Sequence, residues 1–218
     1  MLDTAAARLH MVDGQLRTNG ITDPNLIQAF LAVPRERFVP EALRDSAYVD
    51  EDIPLGSGRY LIEPLVLARL VVLAEIRAGN RVLLVGAATG YGAAILAAVG
   101  APVVALECDA TLAAAARRTL GELGFAAVKV VEGALPRGYD ADAPYNAMIF
   151  GGAIADVPPA LIGQLSEGGR AAAVLKPGPA VGQVTAMTRI GSVLSRRPYF
   201  DAATPMLPGL QATPGFVF

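Results

Sequence analysis

The stretch Arg81–Glu107, RVLLVGAATGYGAAILAAVGAPVVALE, carries no charge from Val82 to Leu106 and is divided by its glycines. Val82–Val85 is a short apolar run stopped by Gly86, the pattern of a strand buried on both faces. Gly86, Gly90 and Gly92 mark a loop where the backbone turns sharply and a ligand can come close. Ala93–Val99 reads as a helix, Gly100-Ala101-Pro102 ends it, and Val103–Leu106 is a second strand with Glu107 at its carboxyl end. Strand, loop, helix and strand make one βαβ half of a nucleotide-binding sheet. Glu107 stands 21 positions after Gly86 (107 − 86), and an acid about 20 residues beyond such a turn accepts hydrogen bonds from ribose hydroxyls. The spacing points to a ligand with an adenosine-like half; the alternative is a core of this kind whose loop holds nothing. The loop Gly86-Ala87-Ala88-Thr89-Gly90-Tyr91-Gly92 lacks the GxGxxG pattern, which disfavours an NAD site.

The rest of the chain supports an α/β reading. Thr4–Thr18 has helical periodicity, with Leu9, Val12 and Leu16 as an apolar stripe ended by Asn19-Gly20. Pro24 opens a second helix that Pro34 ends, Glu41–Ala47 is a short helix, and Glu63-Pro64 begins a third that runs to Glu75. Between them the acidic Asp50-Glu51-Asp52 precedes Ile53–Tyr60, whose glycines and proline mark a candidate substrate loop or a plain connector. Beyond Glu107 the pattern predicts a helix over Ala110–Leu123, a strand over Ala127–Val131 ending near Glu132, and a strand over Pro144–Phe150. A short helix over Pro158–Leu165 follows, then a strand over Arg170–Leu175 after a Gly168-Gly169 turn, and an antiparallel hairpin over Val181–Arg197. This alternation predicts a mostly parallel sheet with helices on both faces. It forms one domain, residues 1–218, with a helical extension over 1–75 and a core over 76–218. Pro198, Pro205, Pro208 and Pro214 leave Arg197–Phe218 without a periodic pattern, although Phe216-Val217-Phe218 is apolar enough to pack.

A formal net charge of −2 does not favour nucleic acid as a partner. Cys108 is alone, so no internal disulfide can form, and without Cys or His clusters no metal site is expected. Val82–Leu106 has the length of a membrane span, but four glycines and Pro102 break it at element boundaries. Asp3 precedes any apolar run and no signal-peptide pattern is present, which predicts a cytoplasmic protein. Three successive strand ends then offer Gly86–Gly92, Glu107 and Glu132 to a ligand, an arrangement suited to S-adenosylmethionine as well as NAD.

At these residues the chain resembles the protein-L-isoaspartate O-methyltransferase family, from about Met11 to about Gly178. MVDGQLRTNGI (Met11–Ile21) is similar to the family's opening helix. VPRERFVPEALRDSAYVDEDIPLGSG (Val33–Gly58) matches its next segment almost residue for residue. RVLLVGAATGYGAAILA resembles its cofactor loop, and LSEGGRAAAVLKPGP (Leu165–Pro179) the segment around its fifth strand. The resemblance implies a Rossmann-like class I methyltransferase fold. It implies methyl transfer from S-adenosyl-L-methionine to the α-carboxyl of isoaspartyl residues in damaged proteins or peptides, leaving S-adenosyl-L-homocysteine. It places Gly86, Ala88 and Gly90 on the cofactor loop, Glu107 on the ribose, Glu132 on the adenine side, and Ser57, Arg59, Tyr60, Ile62 and Glu63 on the substrate loop.

Where the family reads HGQTISQP, this chain reads Ser57-Gly58-Arg59-Tyr60-Leu61-Ile62-Glu63-Pro64, so Ile62 occupies the position of the family's catalytic Ser. Leu84 replaces an acid at the cofactor's methionine end, Ala88 the middle glycine of the loop, and Asn146 an Asp found in many members. A hydrogen bond to a charged group contributes about 1.5–3 kcal/mol, so each lost contact would weaken binding or chemistry about 10- to 100-fold. The expected activity is therefore impaired. Two alternatives stand beside it: a catalytically silent relative that binds a nucleotide-like ligand or a partner, and a methyltransferase for another acceptor.

Overall fold

The computed structural model describes residues 3–212, so the expected packing of Phe216-Val217-Phe218 lies outside the described residues. Strands β3 (Val82–Val85), β4 (Val103–Glu107), β5 (Lys129–Glu132), β6 (Tyr145–Ile154) and β7 (Leu165–Leu175) are parallel. β8 (Gly182–Ile190) and β9 (Val193–Ala202) extend them antiparallel in the order β5-β4-β3-β6-β7-β8-β9. Helices α4 (Tyr91–Ala98) and α5 (Ala110–Glu122) cross between strands, as the βαβ pattern requires. Alternation along β3 divides the core. Val82 and Leu84 join the cluster under the N-terminal helices, whereas Leu83 and Val85 join the opposite one with Phe150, Leu161 and Leu207. The strand order reverses between β3 and β6, which makes the crevice beyond their carboxyl ends the place for a ligand.

The N-terminal part consists of α1 (Thr4–Met11), α2 (Pro24–Ala32), two 3-10 turns and α3 (Pro64–Leu73), with a separate two-stranded hairpin of β1 (Ile53–Gly56) and β2 (Arg59–Leu61). Asp3 and Asp23 cap α1 and α2 by accepting two backbone N–H bonds each. Three expectations change. The first helix passes into a π-helical segment at Val12–Arg17, and the shift turns Met11, Val12 and Leu16 inward while Leu9 stays exposed. β7 begins at Leu165, not Arg170: Gly168-Gly169 is not a turn ahead of the strand but part of a bulge, absorbed between the pairs Tyr145↔Leu165 and Ala147↔Arg170. The proline-rich C-terminal stretch has a fixed course, because Ala153 N–H donates to Pro205 O and Leu207 N–H to Ala153 O, both at 2.8 Å. Among the described residues no helix is long and apolar enough to cross a membrane.

Candidate active site

The glycine loop turns between β3 and α4. Gly86 has φ 77° and Gly90 φ 97°, left-handed conformations that need no side chain. Ala88, between them, is also left-handed at φ 51°, where an L side chain is strained by about 1–2 kcal/mol. Ala88→Gly is therefore expected to raise the unfolding free energy by about 1 kcal/mol and the midpoint of thermal unfolding by about 2–4 °C. A lower midpoint would show that the methyl packs better than the backbone suffers.

Glu107 lies beside this loop and is fully buried. Its Oε2 accepts the Arg59 Nη2–H at 2.7 Å and the Ala88 N–H at 2.6 Å. Its Oε1 accepts Arg59 Nε–H at 3.3 Å, Cys108 N–H at 2.9 Å and Asp109 N–H at 3.1 Å. Arg59 is itself only 3% exposed, so this is a buried bidentate ion pair. Burial pushes the Glu107 carboxyl up, but the Arg59 hydrogen bonds and charge, with the Asp109 and Ala88 N–H groups, outweigh it and hold the group below its ordinary value. A carboxylate offers about four lone-pair sites, and five N–H groups already fill them.

The space above Gly86 is filled in the same way. A Cβ built on Gly86 would meet Leu207 Cδ2 at 2.6 Å and Arg59 Nη2 at 3.2 Å, and one on Gly152 would meet Leu207 at 2.9 Å. What remains is a cavity of about 20 Å³ bounded by Tyr60, Ile62, Leu84, Gly86, Ala88 and Tyr91, among others, room for about one water. The residues expected to hold the cofactor's ribose and methionine end thus do converge, but they do not fit S-adenosylmethionine while Arg59 and Leu207 stay where they are. Ligands of that size need several hundred Å³.

The remaining site residues are dispersed. Glu132 is exposed at the end of β5, paired in register with Glu107, on an open groove of about 670 Å³ that Tyr139 and Gln164 also line. Ser57 is exposed at the tip of the β1–β2 turn. The Arg59 side chain leaves the substrate loop altogether and points at Glu107, the acid expected to hold a ribose. Asn146 is remote from all of this: its Oδ1 accepts the Arg81 N–H at 2.8 Å and clips the amino end of β6 to β3. Cys108, beside Glu107, is exposed.

Two contributors had no signal in the sequence. Arg35 is completely buried, donating from Nε to Ala47 O at 2.7 Å and from Nη2 to Ile62 O at 2.9 Å, with its guanidinium 4.8 Å from the centre of the Tyr91 ring. It ties the N-terminal turns, the Ile62 backbone and the start of α4 into one unit. Leu207 comes from the proline-rich stretch.

Glu63 is half-buried at the start of α3, where Asp52 accepts its N–H at 2.9 Å. Burial first, then the charges of Asp52 and Asp50, push its carboxyl up to about 7 against the pull of Arg35. Folded Glu63 keeps a proton that the unfolded chain releases near the ordinary 4.5. It therefore contributes stability at low pH that is lost as pH rises through about 7. Glu63→Gln is expected to flatten that loss, raising the urea midpoint at pH 8 and leaving it little changed at pH 4; equal slopes in both proteins would refute it.

A sequence model of the family described as protein-L-isoaspartate(D-aspartate) O-methyltransferase matches residues 7–189. The chain is 41% identical over 189 residues to a protein-L-isoaspartate O-methyltransferase of Methylorubrum populi, covering 86% of this chain and 88% of the relative. It is 40% identical over 166 residues to that of Koribacter versatilis, covering 76% and 75%. A solved protein-L-isoaspartate O-methyltransferase superposes with a TM-score of 0.83 at 24% identity, over 94% of this chain and 67% of that one. A provisionally assigned Plasmodium falciparum protein of the same name, in complex with S-adenosyl-L-homocysteine, superposes with a TM-score of 0.77 at 18% identity, over 95% and 99%. Both likenesses show the fold.

Proposed function

The chain belongs to the protein-L-isoaspartate(D-aspartate) O-methyltransferase family, and we propose that it transfers a methyl group from S-adenosyl-L-methionine to the carboxyl of isoaspartyl residues in damaged proteins at a much reduced rate. The observation that carries this reading is the family match over residues 7–189, which spans both the glycine loop and the substrate hairpin. A carboxylate is already the nucleophile, so the reaction asks the protein for proximity and water exclusion and not for a general base. The buried cavity beside Ile62 and Tyr60 suits water exclusion. The reduced rate follows from Ile62, which is 5% exposed and has no hydroxyl to orient an incoming carboxylate, and from the engagement of Glu107 by Arg59.

Incubation with labelled cofactor and an isoaspartyl peptide tests the reading. Slow labelling of the isoaspartyl peptide, with none of its aspartyl counterpart, is expected. Ile62→Ser is expected to raise turnover about 10- to 100-fold, the worth of one hydrogen bond to a charged group. No transfer at millimolar cofactor, with or without the serine, would sink the repair activity.

The second reading, a silent member of the family, is favoured by one observation, the saturated carboxylate of Glu107. Under it the fold serves an interaction and neither the wild type nor Ile62→Ser labels any acceptor.

A further inference from the structure

We infer that the Arg59 guanidinium is a built-in competitor for the cofactor, holding the ribose position of Glu107 until the β1–β2 hairpin withdraws it. This rests on the methyltransferase reading above and names what regulates that site.

Three observations carry it. The first is occupancy. A ribose hydroxyl must donate to Glu107, and Arg59 takes one position on each carboxylate oxygen. The other contacts come from the backbone of Ala88, Cys108 and Asp109 and are part of the loop itself. Removing the guanidinium alone would leave Oε2 with the Ala88 N–H only, one free acceptor for a ribose hydroxyl, while the Cys108 and Asp109 N–H groups stay on Oε1.

The second is that the obstruction is local. The groove beside Glu132, on the side of an adenine, stays open at about 670 Å³, whereas Arg59 and Glu107 are 3% and 0% exposed and close the ribose position between them. A site whose ligand role had been overgrown as a whole would not keep one half open.

The third is that Arg59 sits on a separable piece. β1 and β2 form a two-stranded sheet apart from the main one. They are joined through Gly56-Ser57-Gly58, all three left-handed and exposed, with φ 91°, 51° and 69°. The base of the hairpin is pinned by Asp52 to the Glu63 N–H and by Arg35 to Ile62 O, so it can swing about a fixed root. When the cofactor binds only the Arg59-out state, its apparent dissociation constant is the intrinsic one divided by the fraction of molecules in that state. The guanidinium, together with Leu207 over Gly86, then sets how much cofactor is needed before the site fills.

Calorimetry with S-adenosyl-L-homocysteine on the wild type and Arg59→Gln tests this. Glutamine retains a donor for Glu107 but removes the charge and the bidentate fork. Arg59→Gln is expected to bind about 10- to 100-fold more tightly than the wild type. Equal affinity in the two proteins overturns the inference and leaves the methyltransferase reading standing. Tighter binding by the variant without labelling of an isoaspartyl peptide upholds the inference and overturns that reading. No binding to either protein overturns both. If Arg59→Gln does not fold, the wild-type Arg59 Nε–H resonance decides, with the buried Arg35 Nε–H as internal reference. Loss of exchange protection at Arg59 alone, at millimolar S-adenosyl-L-homocysteine, supports the inference, and an unchanged signal overturns it.

Discussion

Arg59→Leu is expected to lower the unfolding free energy at pH 7 by about 3–5 kcal/mol, the usual cost of leaving one partner of a buried ion pair uncompensated. At about 2–4 °C per kcal/mol for a chain of this size, the thermal midpoint falls by about 10 °C. Leucine fills the space of the arginine stem, so the loss reports the charge and not a cavity. Three backbone N–H groups stay on Glu107, which favours the lower end of the range.

The pH dependence separates this from a packing defect. In the wild type the Glu107 pKa is held below its ordinary value, so its contribution is present above the unfolded value and lost as pH falls through the folded one. In the leucine variant the main downward influence is gone, and burial raises the carboxyl instead. Glu107 then takes up a proton on folding, and the variant's deficit shrinks as the solution is acidified. Denaturant titrations at pH 7 and pH 5 would show it. A deficit below about 1 kcal/mol, or one equal at both pH values, would mean that the pair contributes little.

Gly151→Ala is expected to be nearly as damaging, at about 3 kcal/mol or more, or to prevent folding outright. A Cβ at this position would lie 2.1 Å from the Gly86 carbonyl oxygen. The obstacle is backbone, so no side chain can turn aside. β6 would have to separate from β3 just beyond the Val85↔Phe150 pair, where the register shift between Ile149 and Ala153 already distorts the sheet. Gly121→Ala is the control. Gly121 lies in α5 with nothing within 4 Å of a built Cβ, and alanine there is expected to stabilise by about 0.5–1 kcal/mol. Chemical denaturation of both variants compares them directly. A Gly151→Ala protein within 1 kcal/mol of the wild type would contradict so close an approach of β3 and β6.

The central βαβ unit was legible because its signals are local: an uninterrupted apolar run, a glycine where the chain turns, an acid at the next strand end. The position of Glu107 beside the loop follows from the same register. What the acid does there was not legible. An arginine in a glycine-flanked loop reads as a surface residue, and only the hairpin pairs Pro54↔Tyr60 and Gly56↔Arg59 turn its side chain inward. Arg35 was hidden for the same reason, since nothing nearby in sequence supplies its acceptors at Ala47 and Ile62. Leu207 was hidden because prolines erase periodicity, and its place is fixed by bonds to Ala153 over 50 residues earlier in the chain (207 − 153 = 54). The start of β7 was misplaced because two adjacent glycines signal a turn more often than a bulge.

The Leu207 cover also has a place in time. Arg59, the glycine loop and Glu107 are all made before the ribosome reaches the last hundred or so residues up to Leu207 (207 − 107 = 100). At ~5–20 residues per second the cover follows Glu107 by ~5–20 s. A growing chain therefore carries the acid and its arginine together while the segment that will lie over Gly86 does not yet exist. Leu207 is thus the last of the residues around Gly86 to leave the ribosome.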